Sequence, residues 1–325
     1  MGYFTNNNYL EHGLWAGYNW LKPKKEQWYN QMRINYNVWH SQLVTPMDAL
    51  KRKDMMFQNF GTNINGSAQT KKLWWFGFSV NVNSKNNDYY EPREYGRVFT
   101  NKGTQGMGVW YESNAGKKFY WSANLWGGRG GVFKRRASEI SLTVRQQFSS
   151  KFTIDHALNL SSTKNQAGWA DTAHINSSEH IILFSRRNVE NVENVINFKY
   201  SFNNKMGLTL RGRHYWSKVA PQQFYELDEY GDLQTPSVAY SKNRNQNYNF
   251  LSADLVYNWQ FAQGSFFTVV WKDIGESFNR EFEKNYINNL GKTIQGNQFN
   301  SLSVRMIYFL DYLTAKKKLK KERSI

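Results

Sequence analysis

Cysteine is absent from the 325 residues, and proline occurs only 5 times. No stretch approaches the ~18–20 consecutive apolar residues that a membrane-spanning helix needs. Each absence excludes a class. Without cysteine there is no disulfide scaffold and no Cys-ligated metal or Fe–S site. Without long apolar runs there is no helical membrane protein. An ordinary α/β enzyme would carry more Ala, Leu and Pro. Acidic residues are also scarce, 25 against 42 Lys and Arg, for a net charge of +17. What is abundant is aromatic: 13 Trp, 20 Tyr and 22 Phe, beside a mean hydropathy of −0.73. Disordered chains are poor in aromatics, so this chain folds.

The first residues, Met1 to Asn8, have neither a basic n-region nor an apolar h-region. They do not read as a signal peptide. The last residues carry six basic side chains between Lys316 and Arg323 against the single acid Glu322. Such a run reads as a solvated end or as a contact for an anionic surface. The expected organisation is one domain over 1–312 and a basic tail over 313–325.

Between these ends the pattern has period two. In Phe250–Phe261, Leu251, Ala253, Leu255, Tyr257, Trp259 and Phe261 oppose Ser252, Asp254, Val256, Asn258 and Gln260. Alternate strand residues point to opposite faces, so this is a greasy face and a mostly polar one. Leu302, Val304, Met306 and Tyr308 oppose Ser301, Ser303 and Arg305 in the same way. No apolar stripe of helical period persists over 12 residues. The expected strands are 9–20, 27–39, 54–64, 70–82, 104–113, 117–126, 138–148, 151–161, 166–174, 178–187, 192–202, 206–217, 247–260, 264–273 and 298–312. Many run about 9 to 13 residues, whereas soluble strands average about 5 to 6. A tilted membrane-spanning strand needs about 9 to 11.

Tight turns such as Asn65-Gly66-Ser67 and Asn114-Ala115-Gly116 alternate with long connections near 83–103, 127–137, 218–246 and 274–297. All five prolines fall in the expected turns and loops. Trp15, Trp20, Trp39, Trp74, Trp75, Trp110, Trp121, Trp126, Trp216, Trp259 and Trp271 fall near strand ends, as interfacial girdles would place them. The reading is an all-β, antiparallel transmembrane β-barrel of about 14–16 strands, with short periplasmic turns and long extracellular loops, in the outer membrane of a Gram-negative bacterium. The count of fifteen is odd, whereas single-chain bacterial barrels are even. The sequence therefore reads as a barrel lacking its first strand and whatever precedes it.

Several segments resemble a known family. Asp88-Tyr89-Tyr90-Glu91-Pro92-Arg93, followed by Gly96-Arg97, resembles the (D/F)-Y-E-P-R-x-x-G-R loop of a Bacteroidota outer-membrane barrel family of unknown function. Arg213-His214-Tyr215-Trp216-Ser217 is similar to its R-H-Y-W-S strand. Gly264-Ser265 with Val270-Trp271-Lys272, and Ser301-Leu302-Ser303 through Tyr312, are similar to its last two strands. The resemblance covers essentially the whole chain. It implies a domain like family-9 carbohydrate-binding modules upstream, with Met1-Gly2-Tyr3-Phe4 internal to the longer protein. The basic tail after Tyr312 departs from a strict C-terminal aromatic insertion signal.

No catalytic constellation stands out. The six His (His12, His40, His156, His174, His180 and His214) are not at metal or triad spacing. His12, His156 and His214 fall on apolar faces and read as packed or interfacial. There is no G-x-S-x-G elbow. Gly127-Gly128-Arg129-Gly130-Gly131 lacks the Lys-Ser/Thr of a phosphate loop and reads as a tight loop. No cofactor and no metal is expected.

Charges on the polar faces say more. Arg33, Arg145, Lys199, Arg211, Arg213 and Arg305 share that side with Asp155, Glu193 and Asp254. Arg or Lys on a lipid face costs about 2 to 4 kcal/mol at mid-bilayer, so these residues are expected to line the lumen. They read as a ladder of ion pairs or as a basic eyelet for anionic solutes. The best loop candidate is Tyr90, Glu91, Pro92, Arg93, Gly96 and Arg97, with Glu91 and Arg93 anchoring a plug by a buried ion pair or binding a glycan or partner. Loop aromatics Tyr89, Tyr95, Phe224, Tyr225 and Tyr230 suit stacking on sugars. Two functions remain. One is a non-enzymatic barrel that anchors a carbohydrate-binding-like domain, with or without a solute path. The other is a partner subunit of an outer-membrane assembly, secretion or glycan-uptake complex. Expected partners are outer-membrane lipid, a glycan or other outer-membrane proteins. Nucleic acid is not expected, since the charge is spread along strands rather than packed into one patch.

Overall fold

A computed structural model describes residues 7–23, 25–44, 56–177, 179–283, 285–313 and 316. Met1–Phe4 and nearly all of the basic tail lie outside the described residues. Over the described residues the fold is all-β and antiparallel, with a short helix before the last strand. The strands are β1 (Tyr9–Trp20), β2 (Tyr29–Leu43), β3 (Phe57–Thr70), β4 (Trp75–Asn83), β5 (Asn86–Asp88), β6 (Phe99–Asn101), β7 (Thr104–Glu112) and β8 (Phe119–Gly130). They continue as β9 (Arg135–Gln147), β10 (Phe152–His174), β11 (His180–Asn203), β12 (Met206–Leu227), β13 (Leu233–Gln234), β14 (Gln246–Ala262) and β15 (Ser265–Asn279). Helix α1 (Tyr286–Gln295) and β16 (Gln298–Ile307) close the chain.

Thirteen strands pair in chain order, β1-β2-β3-β4-β7-β8-β9-β10-β11-β12-β14-β15-β16, each antiparallel to the next. β13 is appended to β12, and β5 pairs with β6 in a separate ribbon. β1 and β16 form the two edges and do not pair with each other among the described residues. Bulges sit near strand ends and in the upper parts of β10–β12, so the faces established by alternation persist from strand to strand.

The sheet is curled. Laid flat, β1 and β10 would stand seven strand spacings apart, about 34 Å at ~4.8 Å each. Yet the adjacent residues Tyr90 and Glu91 bridge these strands. The Tyr90 hydroxyl donates to the Asn7 carbonyl just before β1 (2.6 Å), and the Trp169 N–H of β10 donates to the Glu91 carboxylate (2.8 Å). Two side chains on neighbouring residues span at most about 20 Å. The chord is shorter than the arc, so the loop 84–103 lies across a concavity.

The count of thirteen corrects the expected fifteen. The segments 151–161 and 166–174 are one strand, β10, and 178–187 and 192–202 are one strand, β11. The polar stretch Ser161–Asn165 looks like a turn, but Lys164 and Asn165 form a bulge within the ladder, Asn165 at φ 57°. Asn65-Gly66-Ser67 is likewise strand rather than turn; β3 continues to Thr70. Pro221 is not in a loop. It lies in β12 opposite Arg187, beside the bulge at Gln222. The long connection 274–297 contains α1, whose N-cap Asn285 side chain accepts from the N–H groups of Ile287 and Asn288.

The Gly127–Gly131 run is also mostly strand, and β8 ends only at Gly130. Its glycines make room for tryptophan. A Cβ on Gly106 would stand 2.6 Å from the Trp126 indole, one on Gly128 2.5 Å from it, and one on Gly77 2.6 Å from Trp110. Trp39 lies over Gly61 in the same manner. Register places Trp39, Trp110 and Trp126 on the polar face with Asn35, Asn65 and Ser79, not in an outward girdle. We expect Gly106→Val to displace the Trp126 ring, at a cost of about 1–3 kcal/mol for overpacking. A lowered denaturant midpoint and a shifted tryptophan emission would register it; an unchanged midpoint would refute the packing role.

Candidate functional site

The polar face is built in two halves. Across β2–β4 it is an amide ladder. Asn35 donates to Asn65 (3.0 Å), Asn65 to Asn63 (2.6 Å), Asn37 to Asn63 (3.2 Å) and Asn63 to Asn81 (2.7 Å). Arg33 donates to Ser67 Oγ (2.8 Å) at its lower end. Across β9–β15 the same face carries charge. Arg145, Asp155, Asn197, Arg211, Asp254 and Lys272 oppose one another directly, one per strand, in a single register row. Arg145 pairs with Asp155 (2.5 Å) and Lys272 with Asp254 (3.3 Å). One row up, Arg213 reaches Glu193 (2.6 Å).

All seven expected residues, Arg33, Arg145, Lys199, Arg211, Arg213, Asp254 and Arg305, thus fall on one face. Four of them, Arg145, Arg211, Arg213 and Asp254, join the β9–β15 ladder. Lys199 sits opposite Thr153 and Thr209, and Arg305 opposite Thr268 on the edge strand. Half-exposed pairs of this kind contribute roughly 0–1 kcal/mol each. Their arrangement balances charge along the wall more than it stabilises the fold.

The loop motif is a clamp. The Asp88 carboxylate accepts from the N–H groups of Tyr90 and Glu91 (both 2.9 Å), which folds the chain back on itself. Pro92 is fully buried, and Arg93 (φ 60°) and Gly96 (φ 78°) take left-handed conformations. Glu91 and Arg93 do not pair with each other, contrary to the expected buried ion pair. Glu91 accepts from the Trp169 N–H, while the Arg93 guanidinium lies 3.9 Å from the Trp169 ring centroid. Glu94 meets His180 (2.7 Å), and Arg97 donates to the Leu227 and Asp228 carbonyls (2.7 and 3.0 Å). Phe99 packs at a tilt against Phe184 in a core with Ile182 and Leu227.

Here β10–β12 rise beyond the apolar part of the sheet, and Ile181–Ser185 are buried on both faces of β11. Phe133 covers Tyr225 on one face, and Tyr240 covers Phe224 on the other. Phe224 and Tyr225 are therefore strand residues, not loop aromatics. Tyr89 is buried, while Tyr95 and Tyr230 are exposed.

Sequence reading missed the partners of the clamp. Burial pushes the Arg187 guanidinium down from its ordinary value; the Glu91 carboxylate pulls it up, and the Arg93 charge adds to the depression. Asp171 accepts from Tyr240 (2.6 Å) and from Arg244. Burial pushes the Asp171 carboxyl up, but these hydrogen bonds outweigh it and hold it below its usual value. No local motif marks Trp169, Asp171, Arg187 or Arg244; only pairing across 70 or more positions brings Trp169 to Glu91 and Arg244 to Asp171.

A family model described as a domain of unknown function (DUF5916) matches residues 1–319. The chain belongs to that family. No curated protein matches it. The family match spans both the charged wall and the clamp, and carries no assigned activity.

Two outcomes follow from the clamp. Glu91→Ala leaves the Trp169 N–H without its acceptor and the part-buried Arg187 without a nearby carboxylate, at a cost of about 1–3 kcal/mol, and should expose 84–103 to limited proteolysis; equal cleavage of wild type and variant would refute the anchoring. A carboxyl depressed in the fold contributes stability above its unfolded value, which is lost as pH falls through the folded one. The segment 235–245 should therefore loosen as pH drops below 3.8, the ordinary carboxyl value. Asp171→Asn should loosen it at neutral pH, read by hydrogen exchange.

Proposed function

We propose that this chain is a non-enzymatic β-barrel domain of the outer membrane of a Gram-negative bacterium, an anchor whose mouth is crossed by a clamped loop. The observation that carries this reading is the face opposite the charges. Ile34, Phe78, Val109, Leu125 and Ile140 share one outward register row, and Leu142, Val144, Ile196, Leu302 and Val304 continue the same face. Most of these side chains are solvent-exposed, Ile34 at 41% and Val304 at 61%. Monomeric soluble proteins rarely expose contiguous apolar patches beyond a few hundred Å². Lipid is the solvent such a face suits.

The apolar band also crosses the register rows at a slant. The row Leu14, Val38, Thr62, Val82, Gln105, Arg129, Arg136 turns from mostly apolar to cationic between β4 and β9. Farther on, the apolar residues lie toward the short-turn end, as Leu208, Tyr257, Val269 and Val304. A slanted band is what tilted strands in a level membrane require. Helix α1 agrees. It turns Asn289 and Thr293 to the sheet, with Asn289 bonded to Asn249, and leaves Ile287 and Ile294 exposed.

The anchored cargo implied by the family resemblance is a carbohydrate-binding-like domain. The two edges, unpaired among the described residues, favour a second reading, a subunit of an outer-membrane assembly. Purified protein reconstituted into planar bilayers should insert and stay electrically silent. Failure to insert would refute the anchor reading, steady current would add a solute path to it, and stable partners co-purifying in stoichiometric amount would favour the second. Leu142→Arg should cost about 2–4 kcal/mol of stability in vesicles, and Thr143→Arg, on the opposite face, far less. Equal costs would refute the assignment of faces.

A further inference from the structure

The outward face carries a feature that the anchor reading does not use. Arg129 of β8 stands directly opposite Arg136 of β9, and Arg136 directly opposite Lys164 of β10. Three cations thus occupy adjacent places in one row, all exposed. Lys134, in the four-residue turn between β8 and β9, adds a fourth. Like charges directly opposed on neighbouring strands destabilise a sheet. Among the described residues no salt bridge reaches any of the four. The next residue in the row, Gln105, is neutral and turns its amide oxygen to the Arg129 guanidinium without balancing its charge, and beyond it stands Val82. On the inner wall, by contrast, Arg145, Arg213 and Lys272 each hold a carboxylate.

Beneath the cations the face is apolar and indented. Val80, Val82 and Met107 line a hollow of about 1000 Å³ together with Arg129, Lys134 and Arg136. Its floor is glycine, and a Cβ on Gly127 would meet nothing closer than 4.0 Å. Leu125 and Ile140 continue the greasy surface below. A cationic rim over an apolar hollow is two-part complementarity: an anionic oxygen-rich head above and hydrocarbon below.

We propose that Arg129, Lys134, Arg136 and Lys164 bind the phosphate-bearing headgroup of a membrane lipid whose acyl chains lie in the Val80–Met107–Gly127 hollow. Arginine guanidinium forks match phosphate oxygens in pairs, and two opposed arginines can hold one phosphate between them. The bound anion removes the repulsion that the row otherwise suffers. This assignment rests on the membrane reading above and names one of its lipids.

The test uses the full chain folded into vesicles of phosphatidylcholine alone, or with one fifth phosphatidylglycerol. Wild type should enrich phosphatidylglycerol in its retained lipid at least fivefold over bulk, measured by mass spectrometry after gentle detergent extraction. The triple variant R129Q/R136Q/K164Q should lose that enrichment. In phosphatidylcholine alone it should be at least as stable as wild type, because the repulsion is gone. A variant that keeps the enrichment, or that is less stable than wild type in phosphatidylcholine, overturns the site. Failure of wild type to insert into either vesicle overturns the membrane reading instead. Lipid A in place of phosphatidylglycerol then distinguishes which phosphate-bearing lipid is preferred.

Discussion

One antiparallel ladder, running in chain order through thirteen strands, is the constraint on which the rest of this protein depends. Side chains alternate with period two, so a slip of one residue anywhere would carry a whole strand's charges to the greasy side. The bulges respect this. They fall at strand ends or in the upper reaches of β10–β12, where one side no longer has to be apolar. The alternation is thus both a folding rule and a partition of chemistry. Every ion pair of the β9–β15 wall and every exposed Leu or Val of the opposite face is a consequence of it.

On that ladder the two halves of the polar wall use different means to the same end. β2–β4 satisfy it with carboxamides, which donate and accept without net charge. β9–β15 satisfy it with alternating cations and carboxylates. Between them, β7 and β8 contribute glycine rows with indoles lying across them. The clamp ties these regions together, since its neighbouring residues Tyr90 and Glu91 are bonded near β1 and in β10. It holds the curl by side-chain contacts where the backbone ladder alone leaves the curvature free.

Much of this was legible from residues alone, because period-two patterning is local. The faces of Arg145, Asp155, Arg211 and Asp254 follow from counting by twos. Which of them meet does not, because pairing depends on register between distant strands. Lys164 and Asn165 read as a break because polar residues favour turns, yet the flanking pairings on both sides absorb them as a bulge. The glycines at 127 and 128 read as loop because propensity scores each residue alone, whereas here Gly128 is covered by Trp126 and Gly127 faces the other side of the strand. The clamp motif was visible as a cluster, but its partners Trp169 and Arg187 lie some 80 and 95 positions on. Arg129 and Arg136 are seven residues apart in sequence and face to face only after the turn at 131–134 is made.

Among the described residues, thirteen alternating strands make β1 and β16 run in the same direction. A neighbouring copy standing upright beside this one can therefore bring its β16 to this β1 only in parallel. The antiparallel match, β1 to β1, requires the copy to stand on its head, with its long loops where the first has its tight turns. In water both encounters would be open. In a bilayer with two unlike sides, only the weaker parallel one is. The orientation of the membrane, not any residue along the edges, would then decide whom this sheet can join.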